Sequence, residues 1–339
     1  MDSHWAGLAF IMATMNFRKF GKTSWDVSEV GFGAWAIGGG WGPQEDQDST
    51  KALHRALDLG VNFIDTAIAY GNGKSEQIIG EVLKERSEEI VVATKIPATG
   101  RGPWPPSPHC DPDQRFPEEF LREQVEASLK RLQMEALPIL QLHTWTRAWN
   151  RDPRPLLTLQ KLKEEGKIQA VGISTPEHDQ NCAIDLMKAG LIDSLQVIYN
   201  LFEQEPAAEL LPVARETGTG IIVRVVFDEG VLTGKYTREH EFPKGDFRRN
   251  YFAGNRLERA VDRVEKIKEA VEEESRTLPE IALGFALKHP AVSTVITGVR
   301  NTQQAEANCA VSDLEPISDE LEEKLRPYNW RRAFWYGGL

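Results

Sequence analysis

Short hydrophobic runs alternate with amphipathic stretches along most of the chain, beginning near residue 17. The runs are rich in Val and Ile and are almost continuous, as is typical of strands buried on both faces. A stretch with helical periodicity follows each run, which indicates parallel strands joined by helical crossovers. Strands are predicted at residues 28–35, 62–67, 90–96, 137–143, 168–175, 194–200, 221–227 and 293–299. These eight units predict an α/β fold, a closed (β/α)8 TIM barrel.

Some segments do not fit the repeating pattern. A short β-hairpin is predicted from residues 17–20 and 26–30, ahead of the barrel. Three connections are long, and all of them follow a strand. They are therefore expected on the C-terminal face, where barrel enzymes build their active sites. The connections are residues 97–116, 144–152 and 228–255.

Both ends of the chain lie outside the barrel units. Because Met12 and Met15 are alternative starts, residues 1–14 are interpreted as a dispensable extension and residues 15–339 as one barrel domain. The tail, residues 327–339, is rich in aromatic side chains. Such a tail is either a flap over the barrel mouth or a packing strap, and we expect the flap.

Composition narrows the classes of partner. The 339 residues include 40 Lys and Arg against 51 Asp and Glu, a net charge of −11, whereas nucleic acid needs a basic surface. The three cysteines lie far apart without a CxxC pair, so no disulfide framework or structural zinc site is expected. No apolar run approaches the roughly 20 residues that span a bilayer. We expect a cytoplasmic protein that binds neither nucleic acid nor membrane.

Polar side chains at the ends of three successive predicted strands form a candidate active site. Asp65 and the nearby Tyr70 follow the second strand, Lys95 ends the third, and His143 ends the fourth. Strand ends converge at the mouth of a barrel, so these side chains are expected to lie together. A Lys95 ammonium lowers the pKa of Tyr70, and Asp65 keeps Lys95 charged. A neutral His143 can donate to a carbonyl oxygen, so the set predicts proton donation to a polarised carbonyl.

Lys95 leaves a second chemistry open. A lysine at a barrel strand end can form a Schiff base, as in an aldolase or lyase. Against this, the Asp65 carboxylate favours a charged lysine, which is a poor nucleophile. A divalent metal would want clustered carboxylates, and only Asp65 qualifies at the strand ends, so no metal is predicted.

A series of short motifs runs from the second predicted strand to the last helices. The most specific is Asp-Thr-Ala-Ile-Ala-Tyr-Gly-Asn-Gly-Lys-Ser-Glu at residues 65–76. Others follow at residues 93–95, 140–143, 172–174, 196–200, 232–235 and 298–300, and at Asn308. In this order, and over nearly the whole chain from residue 17, they resemble the aldo-keto reductase superfamily. The resemblance implies a barrel plugged at its base by the hairpin, with a nicotinamide cofactor extended across its mouth.

The resemblance also implies roles for the candidate residues. Hydride passes from the cofactor to the carbonyl carbon while Tyr70 gives a proton to the oxygen. Lys95 and Asp65 tune Tyr70, and His143 orients and polarises the carbonyl. The substrate is then a small aldehyde or ketone.

Further residues are implied at the cofactor. Ser174 and Gln196 are expected at the carboxamide, the 228–235 loop at the pyrophosphate, and Arg300 near the adenosine. NADPH is expected, with NADH as the alternative, because a guanidinium suits a 2′-phosphate. The full set is Ser174, Thr175, Gln196, Arg224, Val225, Phe227, Gly230, Leu232, Lys235, Gly298, Arg300, Gln304 and Asn308.

Three positions in this set depart from the family pattern. Thr175 stands where Asn is common, and Gln304 stands where members with a strong NADPH preference often carry a basic residue. Arg224 occupies the position at which a Tyr often stacks on the nicotinamide. Because a guanidinium plane can also stack, Arg224 is kept as a cofactor residue.

Tryptophans supply the candidates for substrate contact, namely Trp35, Trp104, Trp145 and Trp335. For each of them, packing is an equal alternative. A second function is also open, because the superfamily includes channel-associated subunits that bind cofactor with little turnover. The superfamily includes monomers and larger assemblies, and the composition of this chain does not indicate its oligomeric state.

Overall fold

Eight parallel strands close into a barrel in the order in which they occur along the chain. The computed structural model describes residues 15–100, 102, 106–332 and 335, so the proposed extension, residues 1–14, lies outside the described part. The last strand pairs with both the first and the seventh, which closes the ring and confirms the predicted TIM barrel. The strands are β3 (Val30–Gly33), β4 (Phe63–Asp65), β5 (Val91–Ile96), β6 (Leu137–Leu142), β7 (Ile168–Ser174), β8 (Ser194–Ile198), β9 (Gly220–Arg224) and β10 (Val292–Gly298), after the hairpin strands β1 (Phe17–Lys19) and β2 (Asp26–Ser28).

Seven of the eight barrel strands end one to three residues earlier than predicted, and β5 ends at Ile96 as predicted. Strand β3 ends at Gly33 because the chain turns into a 3-10 helix at Ala34–Gly38. Strand β9 ends at Arg224, where the next residue, Val225, takes a φ of +57° and leaves the sheet. Hydrophobic residues thus continue past the strand ends, and some of them, such as Trp35 and Val225, line the barrel mouth.

Apolar side chains fill the N-terminal half of the barrel. Phe63, Ile139 and Ile222 point inward from three strands and are fully buried. Phe20, in the hairpin turn, stacks on Phe63 with ring centroids 5.7 Å apart and is also fully buried. The hairpin therefore plugs this end of the barrel, and the polar strand ends face the opposite end.

The helices lie outside the barrel and carry the caps that their sequences favour. Thr277 and Glu280 form a capping box at the start of one helix, and Gly218 ends another in a left-handed conformation. No helix of the described residues is long and apolar enough to cross a membrane. The helices are α1 (Asp46–Asp58), α2 (Lys74–Lys84), α3 (Pro112–Arg115), α4 (Glu118–Leu132), α5 (Arg154–Glu164), α6 (Ile184–Lys188), α7 (Leu210–Thr217), α8 (Arg248–Tyr251), α9 (Arg256–Ala270), α10 (Leu278–Lys288), α11 (Thr302–Cys309) and α12 (Asp319–Leu325).

The long connection after β9 crosses the barrel mouth. It begins with the 3-10 helix Asp228–Thr233 and contains helix α8. Asp246 pairs with Trp41 in an isolated antiparallel bridge, and Phe247 N–H donates to the Gly40 carbonyl at 3.3 Å. The loop after β9 and the loop after β3 therefore meet over the mouth.

The described part of the tail is a packing strap and not the expected flap. Trp330 and Trp335 are 5% and 3% exposed, and Trp330 packs edge-on against Phe202 with ring centroids 5.4 Å apart. Arg332 forms a buried ion pair with Asp228 at the start of the β9 loop. Aromatic side chains that are buried in this way hold the tail against the loops beside the mouth.

Candidate active site

Two side chains and one backbone carbonyl surround the buried ammonium group of Lys95, which lies on β5. Lys95 Nζ donates to Asp65 Oδ1 at 2.6 Å and to the Thr66 carbonyl at 2.8 Å, and lies 3.2 Å from the Tyr70 hydroxyl. Lys95 is fully buried and Asp65 is 1% exposed. Because the carboxylate balances the ammonium, Tyr70 has a fixed positive neighbour away from bulk water.

A tight turn after β4 holds Tyr70 in this position. The Tyr70 N–H donates to the Ala67 carbonyl at 3.0 Å, and the Trp35 ring stacks on the Tyr70 ring with centroids 6.2 Å apart. Gly38 packs against the Tyr70 backbone, where a Cβ at residue 38 would come within 2.7 Å of the backbone. Only glycine fits there, so the loop after β3 contributes to the placement of the tyrosine.

Burial and charge act in opposite directions on Tyr70. Burial raises the pKa of Tyr70 above its usual 10, and the Lys95 ammonium offsets part of that rise. Lys95 therefore does lower the pKa of Tyr70, as predicted, but burial raises that pKa by more. Burial also opposes the charge on Lys95, yet Asp65 and Tyr70 together raise the pKa of Lys95. Near neutral pH the tyrosine is protonated and the lysine charged, as proton donation requires.

His143 lies beside Tyr70, after the end of β6. The two rings meet edge to face with centroids 6.0 Å apart, and the His143 backbone N–H donates to the Ile96 carbonyl at 2.9 Å. Burial, followed by the charges of Lys95 and Arg224, lowers the pKa of His143 well below 6.5. His143 is thus a neutral imidazole near pH 7, which can donate one hydrogen bond.

This pKa makes stability depend on pH. A histidine with a depressed pKa in the folded state takes up its proton near pH 6.5 only when the chain unfolds, so stability falls as pH drops below 6.5. Between pH 7.5 and 5.5 the expected loss from His143 is about 1.4 kcal/mol. Urea unfolding of wild type and His143→Gln at both pH values measures it. Equal losses in the two proteins would contradict the buried neutral histidine.

Gln196 binds the second oxygen of Asp65. Its Nε2 donates to Asp65 Oδ2 at 2.6 Å, and its Oε1 accepts from the Ser174 hydroxyl at 3.4 Å. Ser174 ends β7 and pairs in register with Gln196, in the middle of β8, and both residues line the same cavity as Tyr70. Their remaining donor and acceptor capacity suits a primary carboxamide, which both donates and accepts.

Two of the residues that depart from the family pattern contact each other. The Arg224 guanidinium donates to the Thr175 carbonyl at 2.9 Å and pairs with Glu177 at 3.2 Å. The Thr175 hydroxyl lies 2.7 Å from Gln180 Oε1, to which it donates. Thr175, Glu177 and Arg224 all line the cavity, and Glu177 is a residue that the sequence did not single out.

The cavity has a volume of about 780 Å³ and extends from Asp65, Tyr70 and His143 to a basic end. Lys235, Arg248 and Arg300 all line the basic end. Burial, followed by the charges of Arg248 and Arg300, lowers the pKa of Lys235. Cations that repel one another in this way favour an anion such as a phosphate between them.

Arg300 also holds a loop in place. It donates to Gln44 Oε1 at 3.0 Å and to the Trp41 and Pro43 carbonyls at 3.3 and 2.7 Å. Gln304 Oε1 accepts from the Arg300 backbone N–H at 2.8 Å. Three of the five guanidinium N–H groups are therefore used, and the other two remain for a phosphate.

The other predicted cofactor residues are placed as follows. Val225, Phe227, Gly230, Gly298, Gln304 and Asn308 line the cavity. Leu232 is fully buried and packs in the core, so the prediction that it contacts a cofactor is not supported by its position.

The predicted substrate tryptophans separate into different environments. Trp35 lines the cavity beside Tyr70. Trp145 is fully buried, donates to Asn150 at 2.8 Å and packs on Trp149, so it belongs to the core. Trp335 lines a smaller, neighbouring cavity under the tail. Trp104 lies outside the described residues.

Several residues around the barrel mouth lie on the loops after β3 and β9, where the sequence pattern is weakest. Trp41 rests on Gly298, where any Cβ would collide with its ring, and Arg248 lies over Trp41 at 5.3 Å from the ring centroid. Phe247 packs on Trp35 with centroids 4.6 Å apart. The aromatic content of these loops is their only signal in the sequence, because such contacts join loops far apart in the chain.

Within the described ranges, no group of three metal-ligating side chains is placed to bind a metal.

Known proteins resemble this chain in sequence and in fold. The model of the aldo/keto reductase family matches residues 29–326. An aldo-keto reductase of Bacillus subtilis, YhdN, is 31% identical over 86% of this chain and 87% of its own length. An NADH-specific methylglyoxal reductase of Escherichia coli is 30% identical over 88% and 94%. The holo structure of aldo-keto reductase AKR11C1 from Bacillus halodurans superimposes with a TM-score of 0.75 at 26% identity, covering 95% of this chain and 99% of that one.

Proposed function

This chain belongs to the aldo/keto reductase family, and from that premise we propose that it reduces small aldehydes or ketones with NADPH, with Tyr70 as the proton donor. The hydrogen-bonded cluster of Tyr70, Lys95 and Asp65, with neutral His143 beside it, carries the proposal. This cluster opens into the cavity of about 780 Å³, a volume typical of small-molecule and cofactor sites.

The residues around the cavity fit a nicotinamide dinucleotide. Gln196 and Ser174 offer a donor and acceptor pair for the carboxamide, close to the catalytic cluster. Lys235 and Arg300 lie at the basic end and suit the phosphates. When bound, the cofactor supplies a hydride to the carbonyl carbon.

The chain's own residues orient the carbonyl oxygen and supply its proton. His143 donates a hydrogen bond to the carbonyl oxygen and orients it, since its imidazole is neutral near pH 7. Tyr70 transfers its hydroxyl proton to that oxygen, and the adjacent Lys95 ammonium stabilises the phenolate that remains. Alcohol oxidation follows the same path in reverse.

The contacts of Lys95 weigh against the Schiff-base alternative. Its Nζ has three hydrogen-bond partners and is charged, whereas imine formation requires a free, neutral amine. The regulatory alternative predicts the same cofactor site without turnover. The complete catalytic cluster favours an active enzyme.

One experiment tests these alternatives together. Purified protein is titrated with NADPH and NADH by fluorescence, and absorbance loss is then followed with a panel of aldehydes and ketones. We expect binding of NADPH, tighter than NADH, and turnover of at least one carbonyl compound. Absence of binding by both cofactors would contradict the proposal. Binding without turnover would support the regulatory subunit, and tighter binding of NADH would overturn the NADPH assignment.

A further inference from the structure

We propose that Arg224 makes this site bind reduced cofactor more tightly than oxidised cofactor, and that Glu177 limits the difference. The proposal rests on the proposed function, because it concerns the nicotinamide end of the same cavity. It assigns an electrostatic role to Arg224, which stands at the position of the family's stacking tyrosine, and to its ion-pair partner Glu177.

The guanidinium lies at the end of the cavity that contains the catalytic cluster. Strand β9, which carries Arg224, is next to β8, which carries Gln196, and Ser174 follows on β7. These two residues are the proposed carboxamide contacts. The charge of Arg224 also reaches the reacting groups, since it contributes to the lowered pKa of His143.

The backbone after β9 fixes Arg224 in this position. Val225 has a φ of +57°, a conformation that is unfavourable for a β-branched side chain. Its carbonyl accepts a hydrogen bond from Asn200 Nδ2 at 2.7 Å, which holds the turn. Arg224 itself is tied to the Thr175 carbonyl and to Glu177, and both side chains of the pair are about 15% exposed. Both charges of the pair are therefore held in place and are only weakly screened by water, and of the two only the Arg224 charge contributes to the lowered pKa of His143.

The two forms of the cofactor differ in the charge of the nicotinamide ring. The oxidised nicotinamide ring is a cation, whereas the reduced ring is neutral. A fixed cation at the nicotinamide end therefore repels the oxidised ring and leaves the reduced ring unaffected. Glu177 has the opposite effect, because its carboxylate attracts the oxidised ring.

Other charges near the ring leave this difference in place. The Asp65 carboxylate is balanced by Lys95, and His143 is neutral near pH 7. Lys235, Arg248 and Arg300 line the cavity at its phosphate end, and Glu229 lines it near Arg248. These charges act on both forms of the cofactor alike. The enzyme would then select reduced cofactor from a mixed pool and release oxidised cofactor readily after each turnover.

The test is the ratio of the dissociation constants of NADP⁺ and NADPH, measured by calorimetry without any carbonyl substrate. In Arg224→Leu we expect this ratio to fall about tenfold, because the repulsion is lost. In Glu177→Gln, which has almost the same shape, we expect the ratio to rise by several-fold. Arg224→Lys keeps the charge and should keep most of the wild-type ratio.

Opposite changes in the two variants separate charge from packing. If Arg224 only stacked on the ring, Arg224→Leu would weaken both forms by the same factor and leave the ratio unchanged, which would overturn the proposal. An unchanged ratio in Glu177→Gln would overturn the role of Glu177. Should Arg224→Leu fail to fold, the Glu177→Gln and Arg224→Lys ratios still decide the result. Failure of the wild type to bind either form would instead contradict the proposed function itself.

Discussion

Replacing Tyr70 with phenylalanine is expected to lower kcat for carbonyl reduction by about 10²–10⁴-fold and to leave cofactor binding nearly unchanged. The substitution removes the only atom of the side chain that can donate a proton. It keeps the ring that stacks on Trp35, and Lys95 keeps its contacts with Asp65 and Thr66. The cavity therefore retains its shape while the proton source is lost.

Steady-state kinetics with the best substrate of the wild type, together with fluorescence titration of NADPH, measure this effect. Tyr328→Phe is the matched control. The Tyr328 hydroxyl contacts only the Lys266 carbonyl on the surface, at 3.1 Å, so the same chemical change there should leave kcat unaltered. Full activity of Tyr70→Phe would show that another group supplies the proton.

The fold could be predicted from the sequence because its strongest signals are local. Strands buried on both faces appear as continuous runs of Val and Ile. In the helices between them, apolar residues recur about every 3.6 positions. The strand ends are less well predicted, since the turn at Val225 and the 3-10 helix at Ala34–Gly38 contain equally hydrophobic residues. In such places the backbone departs from the sheet without any change in hydrophobicity.

The proximity of Asp65, Tyr70, Lys95 and His143 could be predicted from the strand ends, but the loop residues could not be assigned in the same way. Trp35 and Trp145 are alike in the sequence, yet one lines the cavity and the other is buried against Trp149. The pairing of Glu177 with Arg224 is also a tertiary contact, formed between residues 47 positions apart. No local pattern distinguishes a buried partner from a surface charge, so the structure is needed to find it.

Replacing Lys95 with methionine is expected to lower the free energy of unfolding by about 3–5 kcal/mol at pH 7.5, and to remove most of the activity. Methionine has a similar length, but it leaves the buried Asp65 carboxylate without its counter-ion. Burial then raises the pKa of Asp65 in the folded state. In the unfolded chain the same carboxyl group keeps its ordinary pKa of about 3.9. Stability of the variant relative to wild type should therefore recover as the pH falls. Urea unfolding of both proteins at pH 7.5 and 5.5 measures this.

The double variant Lys95→Met with Asp65→Leu separates the structural role of the pair from its catalytic role. Removing both charges eliminates the uncompensated carboxylate, and apolar side chains of similar volume often replace a buried ion pair with little loss of stability. We expect the double variant to regain most of the stability lost in Lys95→Met. It should stay inactive, because the Tyr70 phenolate has no cation to stabilise it. An active double variant would show that Tyr70 does not depend on Lys95. A Lys95→Met variant as stable as wild type at pH 7.5 would show that the Asp65 charge is compensated elsewhere.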